Sequence, residues 1–268
     1  MNTVSSSKQL STIISITCVA AFITVEGHEL LGHGLAAYLC GAHSFSLFST
    51  GIYFRIQGQP EDFSPSSVVG RWVAAAGALF NFVAGLILLA LFSNAKNIKS
   101  TNRYFLWLLA AMNLFALPCY LAYSAISRTG DFQDVISGLP HESALRLIMA
   151  GAGIVSYLIM IRVVAAGLVL FTDNLWKLTL IPYLVTITVF CASASLSSTH
   201  KRDLLISASI GNAIVFIGLL AAVPYAKQLG RKVVSTINTV EANTKWICCG
   251  ICAVLALLRI GSGISWRL

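Results

Sequence analysis

Long apolar stretches separated by short polar segments dominate the hydrophobic pattern of this chain. Several of these stretches reach the roughly 18 to 25 residues that a helix needs to cross the hydrocarbon core of a bilayer. We therefore predict an all-α polytopic membrane protein, integral and multi-pass, with its helices packed in one bundle. The predicted membrane segments lie at about residues 10–40, 68–93, 104–127, 145–171, 175–198, 204–226 and 246–262.

Between the first and second segments the hydrophobic pattern changes character. Residues 44–48 and 52–56 alternate or are rich in residues that favour strands, and Ser49-Thr50-Gly51 separates the two runs. Two such runs joined by a short polar turn are typical of a hairpin. We predict a small β-hairpin at the membrane surface.

Composition supports the membrane assignment. Hydrophobic residues make up 57% of the 268 positions and charged residues only 10%, whereas soluble domains carry about 25% charged residues. The formal net charge of +8 suits loops that face anionic headgroups, so membrane lipid is a predicted partner. The basic residues are spread over short loops rather than clustered, and we expect no nucleic-acid partner.

Three ionisable residues interrupt the first apolar segment. His28, Glu29 and His33 belong to the run H-E-L-L-G-H at positions 28–33. Two imidazoles and a carboxylate are costly to place in lipid unless they serve a site. They are also the usual donors of a catalytic zinc ion, with the glutamate activating a water. The run predicts a metal site inside the membrane segment.

The spacing of the two histidines requires an irregular helix. On a regular α-helix, residues five apart point about 140° away from each other, so His28 and His33 could not bind one ion. A π-bulge absorbs one residue and lets the two rings converge. One alternative pairs Glu29 with His33, which are four apart on an undistorted helix. Another leaves all three side chains hydrogen-bonded between helices, without metal.

Topology relates this cluster to a distant acidic residue. His28 lies toward the end of the first segment that leads into the hairpin, and Asp131 lies in the polar connection between the third and fourth segments. Two connections separated by one pair of membrane segments lie on the same face. The cluster and Asp131 can therefore meet. Alternatively, Asp131 caps a helix that follows Gly130.

Three stretches occur in an order that is more specific than any one of them alone. They are H-E-L-L-G-H-G-L-A-A-Y-L-C-G-A at 28–42, A-G-A-L-F-N-F at 76–82 and N-L-F-A-L-P at 113–118. Together they resemble the site-2 protease family of intramembrane zinc metalloproteases, whose patterns read H-E-x-G-H, G-P-x-x-N and N-x-x-P before an Asp-Gly ligand motif. The resemblance covers roughly residues 15–135.

The chain departs from the family pattern at three points. One extra residue separates the histidines, Ala78 stands where proline is usual, and the acidic motif arrives later and reversed, as Gly130-Asp131. The H-E-L-L-G-H spacing is also found in the soluble zinc dipeptidyl peptidases related to dipeptidyl peptidase III, so an extra residue is compatible with zinc hydrolysis.

The resemblance implies roles for the residues that match it. His28, His33 and Asp131 would bind Zn²⁺, with Asp134 as the alternative to Asp131 as third ligand. Glu29 would be the general base.

The same resemblance implies that Asn81 helps to hold the substrate or the tetrahedral intermediate, although an asparagine in this setting also serves as a hydrogen bond between helices. It further implies a metalloprotease-like core at 1–143, with additional transmembrane helices at 144–268 packed on it.

The function that follows is an intramembrane zinc-dependent endopeptidase. It would cleave membrane-embedded or membrane-adjacent segments of a transmembrane or membrane-associated protein. A non-catalytic protease-like membrane protein that binds partners or metal is the alternative, and a transporter with a His/Glu proton or metal path is a third possibility.

Overall fold

The computed structural model describes residues 3–56, 67–95, 97–172, 174–198, 201–230 and 239–268. These residues form α-helices, two π-helical segments (π1 and π2) and three short strands. In chain order the elements are α1 (Thr3–Glu26), π1 (Gly27–Gly34), α2 (Leu35–Leu39), β1 (Ala42–Phe48), β2 (Gly51–Ile56), α3 (Val68–Asn94), α4 (Ser100–Ser127), α5 (Asp131–Ile136), α6 (Glu142–Leu168), α7 (Leu175–Ala194), α8 (Lys201–Ile206), π2 (Ser207–Gly211), α9 (Asn212–Gly230), α10 (Thr244–Gly261) and β3 (Ile264–Arg267).

Seven helical rods in the described residues are long and apolar enough to cross a membrane. The first combines α1, π1 and α2, the sixth combines α8, π2 and α9, and the others are α3, α4, α6, α7 and α10. Each coincides with one of the seven segments predicted from the hydrophobic pattern, with ends that differ by a few residues. The prediction of seven long apolar helices is confirmed.

The strands form a three-stranded antiparallel sheet in the order β2-β1-β3. The predicted hairpin is confirmed, since β1 pairs with β2 in a register that sets Phe45 opposite Phe54 and Leu47 opposite Ile52. The third strand is unexpected. It follows the seventh rod, pairs with the other edge of β1, and places Trp266 opposite Phe45.

Helix α4 forms the centre of the helical bundle. Apolar side chains occur on all sides of this helix, a pattern typical of a buried helix, and Tyr104, Trp107 and Phe115 are fully buried. Around α4 pack α1, α3, α6 and α9. The peripheral helix α6 instead exposes large apolar residues such as Leu147 and Ile148. The bundle therefore has an apolar interior and an apolar outer surface.

Candidate metal centre

The first rod changes from α-helix to π-helix at the histidine motif. The π-helical segment runs from Gly27 to Gly34, and within it the Nε2 atoms of His28 and His33 lie 3.0 Å apart. A regular helix would point the two rings to different faces, so the extra residue of H-E-L-L-G-H is absorbed by the wider turn. The predicted distortion is confirmed, and the alternative that needs an undistorted helix is wrong.

Two glycines bring α3 into contact with this segment. A Cβ atom on Gly32 would collide with the Cα atom of Gly77. A Cβ atom on Gly77 would lie 2.5 Å from Nε2 of His33 and 2.6 Å from Nε2 of His28. The missing side chains therefore let the two backbones touch and place Gly77 directly beside both imidazole nitrogens.

The third member of the cluster is Asp131, which comes from the connection after α4. Its Oδ2 atom lies 3.1 Å from Nε2 of His28 and 3.4 Å from Nε2 of His33. Arg128 in the left-handed region and Gly130 at φ +84° turn the chain back toward the bundle. Gly130 occupies the N-cap position of α5, so Asp131 is not the capping residue, and its carboxylate is directed at the two rings.

Helix α5 is fastened to two long helices. From α3, the guanidinium of Arg71 donates to the carbonyl of Val135 at 2.5 Å and to that of Ser137 at 2.7 Å. From α6, Arg146 donates to the side chain of Gln133. These bonds hold the short helix in place and with it the carboxylate of Asp131.

The three donor atoms fit a single cation. A tetrahedral zinc ion with bonds of about 2.0 to 2.1 Å keeps its ligand atoms about 3.3 Å apart, and here the separations are 3.0, 3.1 and 3.4 Å. The Nδ1–H group of His33 donates to the carbonyl of Val73 at 2.7 Å. This bond leaves the lone pair of Nε2 directed at the cluster, as in metal-binding histidines. The group could therefore hold a metal ion.

The charges around Asp131 favour its ionised form. Burial alone would raise the pKa of this carboxyl, but the charge of His33 when that ring is protonated and the hydrogen bonds with His28 and His33 outweigh burial, and the pKa is lowered. Asp134 differs, because burial and the charge of Asp131 both raise its pKa. Of the described residues, Asp131 and not Asp134 joins the two histidines.

The two further predicted site residues lie beside the cluster. Glu29 is buried in π1, and its carboxylate accepts a hydrogen bond from the backbone of Ile52 in β2. Asn81 lies on α3 and donates from Nδ2 to the carbonyl of Thr24 in α1 at 3.4 Å. Two cavities, one large and one small, adjoin the cluster. Glu29 and His28 line both of them, and Asn81 lines the small one. Their roles as base and as substrate ligand stay predictions.

The larger cavity has a volume of about 1360 Å³. The histidine cluster and Asp131 line one side, the hairpin residues 50–55 line another, and Asp203 and Ile206 of α8 also contribute. Pockets for drug-sized molecules usually measure about 300 to 1,000 Å³. This cavity therefore has room for a larger ligand, such as a stretch of peptide.

Sequence reasoning missed an aromatic residue at the centre. The ring of Tyr120, on α4, stacks on the ring of His28 with centroids 5.1 Å apart and planes inclined by 23°. Tyr120 also lines both cavities. It follows Pro118 by two positions, next to a stretch already singled out, but an aromatic residue in an apolar helix carries no distinguishing signal.

Comparisons with protein-family models, with curated proteins and with solved structures find no match to this chain. What can be inferred about its function therefore comes from its motifs and from the geometry of the centre.

Proposed function

We propose that this chain is a multi-pass membrane protein that binds Zn²⁺ at His28, His33 and Asp131 and hydrolyses peptide bonds in membrane-embedded or membrane-adjacent segments. The observation that carries the proposal is the convergence of these three donor atoms beside a buried glutamate, at the wall of a large cavity. Two histidines and a glutamate inside a long apolar helix are energetically costly unless they serve a site.

Two features of the fold support the membrane part of the proposal. The outer face of α6 exposes large apolar side chains, which a lipid environment accommodates and water does not. In addition, β1 follows the first rod and β3 follows the seventh, yet the two strands pair. Six crossings lie between them, and an even number of crossings returns a chain to the same membrane face.

The donor set supports zinc and a catalytic site. Two imidazole nitrogens and one carboxylate oxygen are typical of catalytic zinc sites, which keep a fourth position open. When bound there, zinc acts as a Lewis acid that polarises a substrate carbonyl and makes a water more acidic.

In the proposed reaction, residues of the chain transfer the proton and bind the peptide. Glu29 accepts a proton from the attacking water at its carboxylate and returns it to the leaving nitrogen of the cleaved bond. The hydrogen bond from Ile52 holds that carboxylate in place. Strand β2 lies at the edge of the sheet and lines the cavity, so an extended peptide could pair with it by strand addition.

The test uses the purified full-length protein in detergent or lipid vesicles. Glu29→Gln should abolish cleavage of model transmembrane peptides while the zinc content stays at the wild-type level. Glu26→Gln is the matched control, since Glu26 is buried in the same rod but does not line either cavity described above.

Two results would count against the proposal. Full activity of the Glu29→Gln variant would remove Glu29 from the mechanism. Wild-type protein that is prepared with care and holds no stoichiometric zinc would favour a non-catalytic protease-like protein.

A further inference from the structure

A second, smaller cavity of about 40 Å³ lies next to the large one. It is lined by α1, π1, the turn between β1 and β2, α3, α4, π2 and α9. It shares six lining residues with the large cavity: His28, Glu29, Thr50, Tyr120, Gly211 and Val215. About 10 to 15 Å³ of such space is enough for one water molecule if polar partners surround it. The size and position of this cavity therefore suit water, immediately behind the proposed general base.

Asn81 gives the cavity an acceptor that lacks a partner. The residue lines the cavity and is only 3% exposed, and its Oδ1 atom has no hydrogen-bond partner within the part of the chain that the structure describes. Exchanging the amide oxygen and nitrogen would not help, because Nδ2 donates to the carbonyl of Thr24 and an oxygen there would face another oxygen. Buried acceptors are normally satisfied, so Oδ1 points to a bound donor.

A network of polar side chains fixes this amide between three helices. Asn113 of α4 donates from Nδ2 to the hydroxyl of Thr24 at 3.0 Å, and the carbonyl of Thr24 accepts from Asn81. Asn113 opens the stretch N-L-F-A-L-P at 113–118, and its hydrogen bond to Thr24 links α4 to α1. The acceptor of Asn81 is thus held in position and not free to find a protein partner by rotating.

We propose that the small cavity is a water-binding site, in which Asn81 Oδ1 and the Glu29 carboxylate hold water for hydrolysis. Each cleaved peptide bond consumes one water, and a peptide that fills the large cavity blocks the supply from that side. A water stored behind Glu29 is available without opening the site. The hydrolytic role rests on the proposed function, whereas the binding of water does not.

Hydroxyl-radical labelling by X-ray radiolysis of the full-length protein tests the binding, because radicals formed from a bound water modify the side chains next to it. Phe216 lines the cavity although it is only 2% exposed. We expect it to be labelled in the wild type. Phe115 is also fully buried but lines neither cavity described here, so it should stay unlabelled and serves as the internal control.

Two substitutions should remove the water by different routes. Asn81→Leu deletes the acceptor, and Ala116→Val fills the cavity from α4, where Ala116 lines the wall. Both should abolish the labelling of Phe216 and lower kcat about tenfold, with KM and zinc content unchanged, as expected for a loss confined to the chemical step.

Unlabelled Phe216 in the wild type, or equal labelling in the Asn81→Leu and Ala116→Val variants, would overturn the water site. Labelling that follows the expected pattern in a protein that cleaves no peptide would support the water site and overturn its hydrolytic role together with the proposed function. Normal kcat in both variants, with the labelling lost, would overturn the hydrolytic role alone.

Discussion

Gly77→Ala adds a single methyl group and should destroy the proposed metal centre. The added methyl group would lie 2.5 Å from Nε2 of His33 and 2.6 Å from Nε2 of His28. Van der Waals contact needs about 3.5 Å, so both contacts are about 1 Å too short. Neither ring can simply move aside, because His33 is hydrogen-bonded to the carbonyl of Val73 and His28 is stacked on Tyr120.

The size of the effect follows from the tolerance of metal sites. Ligand distances in a functional site vary by only about 0.2 Å, and relief of the clash needs a movement of about 1 Å by the rings or by α3. Removal of a hydrogen-bond partner that orients a metal ligand already lowers metal affinity about 10- to 100-fold. Direct displacement of two ligands should therefore lower zinc affinity by more than about 100-fold. Overpacking should also destabilise the fold by about 1 to 3 kcal/mol.

The assay combines zinc content by mass spectrometry, zinc affinity by competition with a chromophoric chelator, and thermal unfolding in detergent. Gly151→Ala is the matched control, because it makes the same change in a long apolar helix, and a Cβ atom there meets no described atom within 4 Å. It should leave zinc affinity unchanged. A Gly77→Ala variant that binds zinc with wild-type affinity would refute the close approach of α3 and the geometry of the centre.

Three further predictions test the surroundings of the centre. Asp131→Asn should abolish zinc binding and Asp134→Asn should preserve it; the opposite result would reassign the third ligand. Arg71→Gln removes two bonds to α5 and should weaken zinc binding about tenfold, which a chelator titration would measure; unchanged affinity would show that α5 needs no such tether. Trp266→Ala removes a stacked ring pair with Phe45 and should lower stability by about 1 kcal/mol without loss of zinc; an unchanged melting temperature would contradict the contribution of β3.

The helices and the hairpin were predictable because their signals are local. An apolar run of sufficient length marks a helix, and alternation over 44–48 and 52–56 marks paired strands. Strand β3 had no such signal. It has four residues, Ile264–Arg267, is separated from the end of α10 by two residues, and pairs with residues 44–47 near the other end of the chain. A pairing over that distance depends on how the helices pack, which hydrophobic periodicity does not encode.

The site was predictable to the extent that spacing and topology constrain it. Histidines five apart cannot share an ion on a regular helix, so H-E-L-L-G-H predicted a π-bulge on the condition that both rings bind one ion, and the predicted topology allowed Asp131 to reach them. The contact between Gly32 and Gly77 and the tether from Arg71 to α5 could not be derived in this way. Both depend on the distance between neighbouring helices, and Tyr120 has no signal of its own.

Proton counting compares a metal site with a purely hydrogen-bonded cluster. The Nε2 atoms of His28 and His33 carry at most one hydrogen each, and an ionised carboxylate at Asp131 carries none. At most two hydrogens therefore serve the three close approaches among these atoms, at 3.0, 3.1 and 3.4 Å. At least one of the approaches then lacks a hydrogen bond. A single cation satisfies all three donors at once, which favours ion binding as the reason that the π-helix and the turn before α5 bring these residues together.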